Sequence, residues 1–92
     1  MSGPPSGAPT RAEIEAAILA RVAATAKSIC PSEVARGLAP EDWRPLMGRV
    51  REAAAGLSRD GRVTILRKGR PIAPEEMHGV IRLRRGDGEE TA

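Results

Sequence analysis

Seven cationic side chains carry the strongest chemical signal in this sequence. Arg44 and Arg51 stand seven positions apart, with Gly48 between them and Ala55 four positions further on. On one helix these four residues share a face. Arginines separated by small residues let a helix backbone approach a major groove while the guanidinium groups reach phosphate or guanine. Further along, Arg67, Lys68 and Arg70 surround Gly69, and Arg82 and Arg84 alternate with Ile81 and Leu83. Cations placed this way suit a phosphate backbone. Neutralising about five phosphates gives a logarithmic salt slope of about −4 to −5.

The charge distribution supports and opposes that reading at once. The chain of 92 residues has a formal net charge of +3, which hides an asymmetry. Residues 62–85 hold seven basic and two acidic side chains, a balance of +5, whereas Asp87, Glu89 and Glu90 make the last segment −3. A basic C-terminal half suits a polyanion. Against it, Glu41 and Asp42 precede the Arg44 segment and Glu75 and Glu76 follow Arg70, all four repelling phosphate. The abundance of Arg and Ala is also what a GC-rich genome produces. Two classes of partner therefore stay open, duplex DNA and another protein. Acidic residues 87–90 are expected to fold back on the basic segment and weaken non-specific binding.

Other chemistries find little support. Cys30 is the only cysteine and His78 the only histidine, so no disulfide, cysteine-based zinc cluster or other metal site is expected. Ser28 and Ser32 have no histidine base in their segment, which argues against a catalytic triad. Neither an enzyme nor a cofactor is expected. Cys30 reads as a half-buried capping residue. The sequence has no Phe or Tyr, hence no aromatic platform for single-strand stacking, and Trp43 reads as the main aromatic of the core. Arg85-Gly86-Asp87 matches an adhesion tripeptide by coincidence. No apolar run nears the roughly 20 residues that span a bilayer, and no signal peptide is visible. A cytoplasmic location is expected.

The elements that must position these residues follow from caps, prolines and periodicity. Thr10 and Glu13 form a capping-box signature ahead of Ile14, Ala17, Ile18 and Val22, predicting a helix over about 11–25. Lys27-Ser28-Ile29 reads as a short extended stretch able to pair with a later hairpin. Pro31, in the first helical position after Cys30, predicts a second helix over 31–36, with Gly37 as its left-handed terminator. Asp42 is the expected N-cap of a third helix with Pro45 in its first turn. Its stripe is Trp43, Leu46/Met47, Val50, Ala53/Ala54 and Leu57, ended by Asp60-Gly61. Residues 62–67 and 80–84 read as two strands. Lys68 to Gly79 reads as a projecting loop, too long for a tight hairpin. No additional segment supplies a dimerisation helix, and the oligomeric state is left open.

This order defines an α+β winged helix-turn-helix, three helices packed on a small antiparallel β-hairpin, the wing. Residues 10–85 form the domain, between a disordered tail over 1–9 and an acidic tail over 86–92. The wording is closer still to one group. Ser28-Ile29-Cys30-Pro31-Ser32-Glu33-Val34-Ala35-Arg36, Asp42-Trp43-Arg44-Pro45-Leu46-Met47, Val50-Arg51, Arg67-Lys68-Gly69-Arg70-Pro71 and Gly79-Val80-Ile81-Arg82-Leu83 resemble a small bacterial winged-helix family of unknown function. The resemblance implies the fold over most of residues 11–84 and carries no activity with it.

Overall fold

The computed structural model describes residues 9–86. Its first helix, α1 (Arg11–Ala23), begins where the capping box puts it: the Glu13 N–H donates to Thr10 Oγ1 at 3.1 Å and the Thr10 N–H to Glu13 Oε1 at 2.8 Å. Both are donors that the helix itself leaves without partners. Ile14, Ile18 and Val22 form its buried stripe.

The chain then turns and extends. Ile29 exchanges two backbone hydrogen bonds with Leu83, at 2.7 and 2.8 Å, as the extended reading of 27–29 anticipated. Helix α2 (Pro31–Leu38) starts on Pro31, and the Glu33 carboxylate accepts the Cys30 N–H at 3.2 Å. Gly37 does not terminate it. The helix runs two residues beyond the expected end, and Gly37 is absent from the left-handed region.

Pro45 shifts the start of the third helix. With Asp42 as N-cap, Pro45 would be the third helical residue, and the N–H that an aspartate cap bonds there does not exist in proline. Instead Arg44–Leu46 form one 3₁₀ turn, and α3 (Met47–Arg59) follows. Its C-terminus is a Schellman motif: the Arg62 N–H donates to Leu57 O at 2.9 Å and the Gly61 N–H to Ser58 O at 3.0 Å. The Asp60-Gly61 stop signal is thus realised.

Three strands follow where two were expected: β1 (Val63–Arg67), β2 (Arg70–Ile72) and β3 (Arg82–Arg85), in the antiparallel order β2-β1-β3. Lys68 and Gly69, with φ of 53° and 80°, make a two-residue turn that pairs Arg67 with Arg70. Positive φ at both loop residues is the hairpin geometry that matches strand twist. Of the expected long loop only Ala73–Gly79 crosses over, with a 3₁₀ turn at Pro74–Glu76, and β3 begins at Arg82, two residues after the expected start at Val80. In this register Pro71 holds the β2 position whose backbone faces away from β1.

The core is aliphatic. Ile14, Ile18, Val34, Val50, Ile65 and Leu83 are fully buried where the helices meet the inner face of the sheet. Trp43 is only half-buried and packs at the rim, because the 3₁₀ turn removes it from the α3 stripe that it was expected to continue. Pro9 and Gly86, assigned by the sequence reading to the tails, are both buried. The rest of those tails, including acidic residues 87–90, lies outside the described residues. Among the described residues no helix is long and apolar enough to cross a membrane.

Gly86 caps the sheet by donating its N–H to Arg62 O at 3.0 Å. A Cβ at this position would overlap Gly61 O and lie 2.5 Å from Arg62 C and 2.7 Å from Val63 N. All of these are backbone atoms that cannot swing aside. Gly86→Ala is expected to destabilise the fold by about 1–3 kcal/mol, measured as a lower urea midpoint with an unchanged m-value.

Candidate nucleic-acid interface

The structure places the seven expected cations in three groups. Arg44 is exposed on the 3₁₀ turn and Arg51 is half-buried on α3. They do not share the expected open face. Each residue of a 3₁₀ turn advances about 120° against about 100° in an α-helix, so three such residues rotate Arg44 by roughly 60° relative to α3. The Arg51 side chain instead meets the crossover, donating to the Met77 carbonyl at 3.1 Å. Ala55, expected on the same open face, is 7% exposed.

The second group is the hairpin tip. Lys68 and Arg70 are exposed, and Arg67 is half-buried with its Nη1 donating to the Glu76 carbonyl at 2.9 Å. On one side of the tip, Arg67, Lys68, Arg70, Pro71 and Ile72 surround a shallow depression that no acidic residue lines. The third group is β3. Arg82 and Arg84 project from the face opposite Ile81 and Leu83, as their alternation predicts. The Arg82 guanidinium is anchored across the sheet edge, with Nε on Ser28 Oγ at 2.6 Å and Nη2 on Ser28 O at 2.9 Å. Arg84 also has an interaction partner.

Three of the seven thus hold backbone or hydroxyl oxygens of their own chain. All of these acceptors are uncharged, so the bonds fix the guanidinium groups without neutralising them. Such a bond to an ionised donor is worth about 1.5–3 kcal/mol.

Two exposed cations on α2 and α3, Arg36 and Arg49, were not singled out from the sequence. Arg36, in the last turn of α2, lies 4.4 Å from the Trp43 ring centroid, and Arg44 lies 4.7 Å from it. The indole thus orients two guanidinium groups through its quadrupole. Arg49 is exposed on α3. Its signal was the α3 periodicity once the helix starts at Met47, because Gly48, Arg49 and Glu52 then form the solvent side. The acidic flanks are real as well. Glu41, Asp42 and Glu52 are exposed, and Glu75 pairs with Arg59 at 3.5 Å. With both partners more than half exposed, that pair is worth about 0–1 kcal/mol.

Cys30 is half-buried, with Sγ 3.1 Å from Ser32 Oγ. Among the described residues no group of three or more His, Cys, Asp or Glu converges on a point.

Three helices and a three-stranded antiparallel sheet, with an extended residue between the first two helices joining that sheet, form an α+β arrangement consistent with a winged helix. Residues 11–86 match the family described as "Protein of unknown function (DUF3253)", and the chain belongs to that family. No curated protein matches the sequence.

The two arginines of the expected recognition face are separable by stability. Arg51→Gln, which loses the bond to Met77 O, is expected to cost about 1–3 kcal/mol and to speed amide exchange over residues 74–78. Arg44→Gln, exposed, is expected to change stability by under about 1 kcal/mol. Urea denaturation and hydrogen exchange read both.

Proposed function

We propose that the protein binds duplex DNA, leading with the β1–β2 hairpin and supporting it from the N-terminal end of α3. The observation that carries the reading is the hairpin tip. Lys68 and Arg70 stand exposed on a two-residue turn, and the depression beside them is lined without an acidic residue. A tight turn presents these charges with little conformational freedom left to lose on binding. Arg44, held over Trp43, and the Arg82–Arg84 strand add phosphate contacts on either side.

In this reading Arg51 and Arg67 act mainly by holding the crossover in place. α3 is then a weaker reader of base edges than the spacing of Arg44 and Arg51 suggested. A single copy with about five phosphate contacts belongs in the non-specific affinity range, roughly 10⁻⁴–10⁻⁶ M at physiological salt. The reading carries a cytoplasmic location with it. The rival reading, a protein-interaction module, is favoured by exposed Glu41, Asp42 and Glu52 beside the helix that would enter the groove.

Fluorescence anisotropy with a random-sequence duplex across several salt concentrations tests the proposal. A logarithmic salt slope of about −4 to −5 is expected, falling in magnitude by about 1 for each of Lys68→Gln and Arg70→Gln. Absence of binding at low salt would overturn it and leave the interaction module standing.

A further inference from the structure

The face of the sheet turned away from the helices carries a second feature, a cleft that shares Lys68 and Arg82 with the nucleic-acid reading. Leu66 and Arg82 are register partners on β1 and β3 and share this outer face, since their neighbours Ile65 and Leu83 are the ones in the core. A cleft of about 570 Å³ opens there between the hairpin and residues 78–80. That volume lies within the range of small-molecule sites. Val80, on its wall, has 84% of its surface exposed, and among the described residues no other large hydrophobic side chain is so unprotected.

Charge selects the occupant. Lys68, Arg67 and Arg82 border the cleft, and none of its lining residues is acidic. Arg82 is fixed by the uncharged oxygens of Ser28, and the backbone of Lys68 by its two-residue turn. Their positions are set while their charge remains available, and a guanidinium has further N–H donors to offer. An alkane would leave those donors without an anion. A bare phosphate would leave the apolar surface of Val80 wet. A molecule with one anionic end and one apolar end satisfies both.

We propose that this cleft binds a small amphiphilic carboxylate, its apolar chain or ring against Leu66 and Val80 and its carboxylate on Arg82 and Lys68. The site goes beyond the nucleic-acid reading and does not depend on it, so its test contains no nucleic acid.

The experiment is a ¹H–¹⁵N titration of the full chain with sodium octanoate, run in parallel with octylamine, which has the same chain and the opposite charge. Saturable shifts are expected for the amides of Leu66, Lys68, Val80 and Arg82, with a dissociation constant of roughly 1 mM or tighter. Octylamine should bind at least about tenfold more weakly. Val80→Asp places a carboxylate at an exposed position, where folding is not at stake, and should weaken octanoate by about tenfold or more. A retained dispersed spectrum checks the fold of that variant. Shifts that never saturate, octylamine binding as tightly as octanoate, or unaltered binding by Val80→Asp would each overturn the proposal.

Discussion

Two backbone hydrogen bonds between Ile29 and Leu83 join the link between α1 and α2 to the sheet. α1 precedes this pair and, among the described residues, everything after Arg62 is sheet, turn and crossover; without the pair the extended link between α1 and α2 would lie loose over the core. With it, Ile29 becomes a short outer rung of the sheet beside β3. Ser28, on the alternate side of that rung, is then at the right height to receive Arg82. The start of α2 is fixed two residues after Ile29 by Pro31, so the helix pair α2–α3 inherits its position from a strand pairing. The buried side chains are aliphatic and small, with little large ring area to define packing, which makes directional backbone bonds the main source of a unique arrangement.

The legible parts of the fold were those governed by neighbours in sequence. Thr10 and Glu13, Pro31, and Asp60-Gly61 each act on a hydrogen bond within a few residues, and each helix end they mark lies where they put it or within two residues. The alternation of Ile81, Arg82, Leu83 and Arg84 gave the faces of β3 for the same reason. Gly37 and Asp42 misled because each was judged as a local signal where another influence governs. α2 continues through Gly37, and Pro45 deletes the donor that an Asp42 cap requires. The Lys68-Gly69 hairpin was hidden by Lys68, a residue seldom found at positive φ, and by Pro71 just behind it.

The candidate interface was less legible than the fold. Which arginines were cationic and grouped was plain. Which of them would be engaged within the fold was not, because the acceptors are backbone carbonyls. Met77 O and Glu76 O have no signature in the residue types, and they become available to Arg51 and Arg67 only when the crossover passes beside α3 and β1. A basic surface in this protein is therefore two things at once, a scaffold of oriented guanidinium groups and a field directed outward.

Pro71 has a consequence for how molecules of this chain meet one another. A three-stranded sheet has two rims, and an open rim is a template for a strand from another copy. On one rim Ile29 already occupies Leu83. On the other, the outward-facing residue of β2 is a proline, which has no N–H to offer, flanked by Arg70. Neither side readily accepts a further strand. A chain with so small an aliphatic core and a short exposed hairpin is thereby protected from edge-to-edge growth into fibrils, and it can remain dispersed at concentrations where an unguarded edge of the same length would aggregate.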